Sequence, residues 1–130
     1  YKNKIKKIKK KLKIFTLLIK PNFGCSTKNI YAQVRNYSKP QFFKIKSKNI
    51  NFNTLSKMKN DLEVISFKLY PRLRKIRQFF LNIDKNSYVR MTGSGSTIVG
   101  YFMSKKAALN AKKLLRKNYK NYWCNLSKTI

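Results

Sequence analysis

The segment Arg90-Met-Thr-Gly-Ser-Gly-Ser-Thr97 sets two glycines among hydroxyl-bearing residues, between two strand-like runs. Glycine tolerates positive φ and lets a ligand or a second backbone approach closely. A bend of this composition can present N–H and hydroxyl groups to a phosphate, or to another loop that binds one. It reads equally as the turn of a β-hairpin. It is not a P-loop, because no Gly-Lys-Ser/Thr follows and it joins strand to strand rather than strand to helix.

The other chemistry-bearing residue types narrow the field. The 130-residue chain has no histidine, so the commonest general base and metal ligand is absent, and zinc and Ser-His chemistry are excluded. Cys25 and Cys124 lie far apart and form no CxxC pair, which predicts reduced, partly buried thiols rather than a metal knuckle or a disulfide. The chain has three acids, Asp61, Glu63 and Asp84. The first two fall where a helix begins, at the positive end of its dipole, and Asp84 falls in a turn.

Lys and Arg number 32 against those three acids, a formal net charge of +29. Such a surface attracts phosphate-bearing polymers and anionic lipid whatever else it does. Lys far exceeds Arg, and Asn, Ile, Tyr and Phe are also abundant. These residues share A/T-rich codons, so biased composition accounts for the charge. Arg, whose planar fork reads guanine and phosphate, is the minority cation. Non-specific polyanion binding is expected to follow from the charge, and selection for a polyanion partner is the alternative.

The apolar run Ile14–Ile19 follows a basic stretch but is closed by Lys20-Pro21, far short of the roughly 20 apolar residues a span requires. No transmembrane segment is expected, and the reduced thiols suit a cytosol. The chain as given opens on Tyr1 rather than Met, as a piece of a longer protein would.

The elements that must hold the bend can be read from periodicity. Residues 1–11 form a basic N-terminal segment and 12–130 a single domain. Leu12–Lys20 reads as a strand ending at the turn Pro21-Asn22-Phe23-Gly24. Ser26 or Thr27 then caps a helix that carries Ile30, Tyr31 and Val34 on one face and stops near Asn36. Residues 41–53 read as irregular. From Met58, apolar residues recur through Leu62, Ile65, Leu69, Leu73, Ile76 and Phe80 in steps of three and four, a helical stripe. Asn60 with Glu63 resembles a capping box, and Pro71 either kinks the run or starts a second helix. Strands follow at 88–91 and 97–103, then a helix capped by Ser104 with Ala107, Ala108, Ala111, Leu114 and Leu115 on its apolar face, then a last strand at 122–126. This order predicts an α+β sandwich, a mostly antiparallel sheet of about four strands with helices covering one face.

The combination of Asn60-Asp-Leu-Glu63, the Arg90–Thr97 bend about thirty residues later, an Ala-rich helix and a Trp-containing last strand resembles the C-terminal region of the 4-diphosphocytidyl-2-C-methyl-D-erythritol kinase family, within the GHMP kinase superfamily. Leu18-Ile-Lys-Pro-Asn-Phe-Gly-Cys-Ser-Thr27, followed by Ile30-Tyr31, is similar to that family's strand-to-helix turn. The resemblance covers roughly residues 12 to 127. It implies a GHMP C-terminal-type domain and an ATP-dependent, Mg2+-dependent small-molecule kinase of non-mevalonate isoprenoid biosynthesis. The substrate it implies is a cytidine diphosphate-linked methylerythritol. It implies that Gly93, Ser94, Gly95 and Ser96 support the phosphate loop, that Thr27 lies near the substrate's phosphates and that Tyr31 lies against the cytosine ring. A Tyr face suits that last role, since it stacks on a base at little entropic cost; the alternative for Tyr31 is a core position beside Ile30 and Val34.

The family's Gly-rich ATP loop, and the Lys and Asp that organise transfer, have no counterpart in this sequence. Phosphoryl transfer depends on positioning and charge stabilisation around metal and phosphates. The resemblance therefore implies that no catalytic residue and no metal ligand lies in this chain, that it binds neither ATP nor Mg2+ alone, and that an N-terminal kinase half is a possible partner. A small basic nucleic-acid-binding module of ribosomal type is the competing reading.

Overall fold

The computed structural model describes residues 12–39 and 50–129. The basic segment 1–11 and most of the stretch read as irregular, 41–53, lie outside the described residues. Strand β1 (Phe15–Lys20) leads to α1 (Thr27–Ala32), then α2 (Phe52–Ser56), α3 (Leu62–Leu69) and α4 (Pro71–Leu81). The hairpin β2 (Tyr88–Met91) and β3 (Ile98–Phe102), helix α5 (Lys105–Asn118) and β4 (Trp123–Lys128) complete the order. The four strands form one antiparallel sheet in the order β2-β3-β1-β4, as the sequence predicts.

Alternation along each strand sends one set of side chains to the helices. Leu17, Ile19, Met91, Ile98 and Phe102 are buried in a single core with Leu73, Ile76 and Phe80 of α4 and Ala108, Ala111 and Leu115 of α5. Gly100 of β3 lies under the Phe80 ring, and a Cβ there would meet ring carbon Cζ at 2.3 Å. The absence of a side chain at that one position lets α4 settle directly on the sheet.

Several boundaries differ from those read in the sequence. Helix α1 ends at Ala32 rather than near Asn36, with the Gln33 N–H donating to the Ile30 carbonyl and the Val34 N–H to the Tyr31 carbonyl, each at 3.1 Å. Downstream, the Asp61 carboxylate takes up the Ser38 N–H at 2.8 Å and its hydroxyl at 2.9 Å, so the chain leaves the helical path to meet it. Pro71 starts a second helix instead of kinking one, sitting in the first turn where its lacking N–H costs nothing. That break shifts the helical phase: α3 buries Leu62, Ser66 and Phe67, while Leu69, expected in the apolar stripe, is exposed. Leu114 of α5 is likewise exposed, whereas Ser104 caps α5 as expected, accepting from the Ala107 N–H at 3.3 Å. Helix α2 was not read from the sequence; Asn51 starts it by accepting from the Thr54 N–H at 2.8 Å.

Among the described residues, no helix is long and apolar enough to cross a membrane. Cys25 and Cys124 are free thiols, half-buried and buried respectively, and burial pushes both thiol pKa values up.

Candidate functional site

The Arg90–Thr97 segment is the connection between β2 and β3. The Thr92 N–H donates to the Thr97 carbonyl and the Gly95 N–H to the Thr92 carbonyl, each at 2.9 Å, so the bend closes on itself. Gly93 and Gly95 have φ of 51° and 91°, the left-handed region that side-chain-bearing residues rarely occupy. Gly93 faces open space, whereas a Cβ on Gly95 would lie 2.9 Å from the Met91 sulfur and 3.1 Å from Cys25 Sγ. The first glycine is required by backbone conformation; the second is required by conformation and by space.

The start of α3 holds this bend from below. Asn60 Nδ2 donates to the carbonyls of Met91 and Gly93, both at 2.8 Å, and its Oδ1 accepts from the Leu62 N–H at 3.1 Å. Glu63 Oε1 accepts from the Met91 N–H at 3.0 Å and lies 3.2 Å from Arg77 Nε, an ion pair without hydrogen-bond alignment. The Asn60/Glu63 pair is therefore not the reciprocal capping box its spacing suggests. Asn60 keeps one bond to the first N–H of α3, but its amide N–H groups and the Glu63 carboxylate serve the outer edge of β2, which has no strand beyond it among the described residues. Asp61, also expected to serve the helix start, makes no cap hydrogen bond and holds Ser38 instead. Asp84 is the turn residue expected, accepting from the Asn86 N–H at 2.9 Å.

Helix α1 reaches the bend from the other side. The Thr27 and Ser94 hydroxyls share a hydrogen bond at 2.9 Å, and the Ser66 hydroxyl donates to the Ser94 carbonyl at 3.3 Å. The Ser26 N–H donates to the Tyr70 hydroxyl at 2.9 Å, fixing the turn that delivers Thr27. The structure thus brings Thr27 onto the Gly93–Ser96 bend. Ser96 is buried, 5% exposed.

Tyr31 is not a core residue. It is half-exposed beside the fully buried Ile30, because consecutive helical positions point about 100° apart. Its ring lines an open groove of about 430 Å³ with Tyr37, Lys59, Arg90, Gly93 and Tyr101. Alternation in Tyr88-Val-Arg-Met puts Tyr88 and Arg90 on the sheet face opposite α4 and α5, where Phe52 of α2 meets the Tyr88 ring at 4.8 Å. There Tyr88 stacks on its cross-strand partner Tyr101 at 4.4 Å, and the Arg90 guanidinium lies 4.8 Å from the Tyr88 ring centre. Arg90 also donates to the Leu55 carbonyl at 2.6 Å, tying α2 to the groove. Burial, and then the neighbouring Tyr101, push the Tyr88 hydroxyl up to about 12, against the opposing pull of Arg90.

Sequence reasoning did not place Tyr37, Lys59, Arg90 or Tyr101 at this site. The period-two pattern of β2 and β3 carried part of the signal; Tyr37 and Lys59 sit outside regular elements and carried none. Flat rings flanked by two cations suit a planar base joined to an anionic group. They offer binding, not proton transfer or nucleophilic attack. Among the described residues no group of three or more His, Cys, Asp or Glu side chains could hold a metal ion, and Asp61, Glu63 and Asp84 are each already engaged.

Comparison with known proteins finds relatives of the chain. The chain is 46% identical over 126 residues to the 4-diphosphocytidyl-2-C-methyl-D-erythritol kinase of Pelagibacter ubique, a match covering 97% of this chain and 45% of that protein. It is 30% identical to the enzyme of the same name from Clostridium tetani, covering 89% of this chain and 42% of that protein. The chain therefore spans a little under half the length of these curated relatives. The crystal structure of homoserine kinase from Cytophaga hutchinsonii superposes with a TM-score of 0.61 at 14% identity, over 90% of this chain and 41% of that one, a likeness of fold. The family model described as GHMP kinases C terminal matches residues 43–121, and the chain belongs to that family.

Proposed function

We propose that residues 12–130 form the substrate-side domain of an ATP-dependent kinase that phosphorylates a hydroxyl of a cytidine diphosphate-linked methylerythritol. On this reading the groove of Tyr31, Lys59, Arg90 and Tyr101 receives the cytidine end of the substrate, with the Tyr31 ring against the base. Thr27 then lies toward the diphosphate, and the Gly93–Ser96 bend supports a phosphate-binding loop supplied by an N-terminal half. ATP and Mg2+ would be held by that half, since the acids of this chain are committed to internal contacts. The chain alone is accordingly inert as a kinase, and the working enzyme belongs in a bacterial cytoplasm or an organelle stroma.

The observation that carries this reading is the convergence of two separate parts of the chain: Tyr31 of α1 and Gly93 of the bend line one aromatic and cationic groove, and Thr27 of the same helix is hydrogen-bonded to Ser94 of the bend. Matches of 46% and 30% identity to proteins named for this activity support it.

Calorimetric titration with cytidine diphosphate tests it. The chain alone is expected to bind weakly, with little dependence on salt. The chain joined to the N-terminal half of the Pelagibacter ubique relative is expected to bind more tightly and to turn over ATP only when the substrate is present. Absence of cytidine diphosphate binding in the joined, folded protein would overturn the reading, and ATP-dependent turnover by the chain alone would overturn the assignment of catalysis to the other half.

A further inference from the structure

A second groove, of about 460 Å³, opens where β1 ends and β4 begins, lined by Lys20, Asn22, Phe23, Asn121 and Trp123 among others. None of its lining residues belongs to the tyrosine groove. Lys20 and Trp123 are direct cross-strand partners, so their side chains leave the same face of the sheet. The Trp123 indole is 55% exposed. Its neighbour Cys124 points into the core, which leaves the indole on the sheet face opposite α4 and α5.

Phe23, which lines the groove, belongs to an aromatic cluster packed against the core. Phe23 meets Tyr122 edge-on at 6.5 Å, Tyr122 stacks on Tyr119 at 5.3 Å, and the Arg72 guanidinium lies 4.5 Å over the Phe23 ring. The surroundings have one sign of charge. From Lys105 to Lys128 the chain carries eight cations and no acid. Arg116, Lys117 and Lys120, all exposed, lie at the end of α5 and in the turn that runs into the groove. The three acids of the chain are at 61, 63 and 84, none of them on this stretch.

We infer that this groove binds single-stranded nucleic acid, with an unpaired base stacked on Trp123 and its flanking phosphates on Lys20 and the cations at the end of α5. Proteins that hold single strands combine an aromatic platform with a basic track, because every base has a π-face and every linkage a charge. The side-chain amides of Asn22 and Asn121 add donors and acceptors at the level of a base edge. A four-stranded antiparallel sheet that stacks bases on the face away from its helices is a recurrent solution for single-stranded RNA. A lipid surface would also attract the charge, but this groove sets two side-chain amides beside its two rings, which fits a base better than an acyl layer. RNA and DNA share the chemistry that the groove reads.

Trp123 is the only tryptophan of the chain, so its emission reports the site directly. The chain would be titrated with an oligouridylate and an oligothymidylate of about ten nucleotides, with heparin, and with phosphatidylglycerol vesicles. Saturable quenching by either oligonucleotide, weakening as salt rises, is the expected result; heparin should bind without quenching, and the ratio of the two oligonucleotides shows whether the ribose hydroxyl is read. By anisotropy of a labelled strand, Trp123→Leu should weaken binding by about tenfold while Trp123→Phe retains most of it. Lys20→Gln should lower the slope of log affinity against log salt by about 1. The inference is overturned if heparin quenches as oligonucleotide does, if the emission responds to vesicles alone, or if a folded Trp123→Leu chain binds as tightly as the parent. Should Trp123→Leu not fold, the emission titration of the unaltered chain decides.

Discussion

The Asn60 side-chain amide donates to the Met91 carbonyl at 2.8 Å across 31 residues of sequence. Its second N–H reaches the Gly93 carbonyl, and Glu63 takes the Met91 N–H. Two side chains at the start of one helix thus do for the outer edge of β2 what a fifth strand would do. Met91 is buried, so water has little access to those backbone groups if the clamp is removed. Asn60→Ala should lower stability by about 1–3 kcal/mol, the cost of leaving buried groups unpaired, read as a lower urea midpoint at unchanged slope. Asn60→Asp should cost more, since a carboxylate would face two carbonyl oxygens. A midpoint unmoved by Asn60→Ala would show that the clamp contributes nothing.

The two glycines of the bend should respond differently to alanine. Gly93 has φ of 51° with nothing within 4 Å of a new Cβ, whereas at Gly95 a Cβ would press on the Met91 and Cys25 sulfurs at 2.9 and 3.1 Å. Gly93→Ala should cost roughly 1 kcal/mol of backbone strain, and Gly95→Ala that amount plus 1–3 kcal/mol of overpacking. Trimming Met91 to Ala beside Gly95→Ala should recover part of the loss, measured as a double-mutant cycle against the single variants. Equal costs at the two glycines would mean that space is not what distinguishes them.

Much of the fold was legible because strand alternation and helical periodicity report burial directly. Leu73, Ile76 and Phe80 recur at helical spacing and are buried, and Ser104 is the cap of α5. The failures occur where a local rule was overridden from a distance. Asn60 and Glu63 have the spacing of a capping box, yet β2 offers buried backbone groups that gain more from their side chains than solvent-exposed helix N–H groups do. Leu69 fits the apolar stripe in sequence, but Pro71 restarts the helix and turns Leu69 outward. At the candidate site, the glycine bend was evident from two residues that no strand interior favours. Tyr101 and Arg90 looked like ordinary strand residues; only the sheet register, which pairs Tyr88 with Tyr101, shows that they share a face and a groove.

Tyr88 supplies a pH signature for that register. Its hydroxyl is pushed from the ordinary 10.0 up to about 12, first by burial and then by Tyr101. The folded state therefore favours the neutral phenol more than the unfolded chain does. The resulting stability is fully present below about pH 10 and is lost as pH rises toward 12. Tyrosinate absorbance should show one group ionising late in the folded chain, and Tyr88→Phe should remove that late step. Replacing Tyr101 with Leu should move the step to lower pH, because it removes an anionic neighbour and opens the ring to water. A late step that survives Tyr88→Phe would assign it to another tyrosine.

Tyr31 and Tyr101 line the same groove but stand differently in the fold, which allows binding to be separated from stability. Tyr31 is half-exposed on α1 and has no ring-on-ring contact among the described residues, while Tyr101 is stacked on Tyr88 beneath the Arg90 guanidinium. Tyr31→Ala should leave the urea midpoint within about 0.5 kcal/mol of the parent, as surface substitutions usually do. If Tyr31 lies against the base, the same change should weaken cytidine diphosphate binding by about tenfold, within the range measured for loss of one aromatic stacking partner. Tyr101→Ala should instead destabilise the chain by about 1–3 kcal/mol, through the lost stack and the unsupported Arg90. Calorimetric titration of both variants, each shown to be folded, gives the comparison. Unchanged nucleotide affinity in Tyr31→Ala would remove the ring from the base and leave the groove to be defined by Tyr37, Lys59 and Arg90.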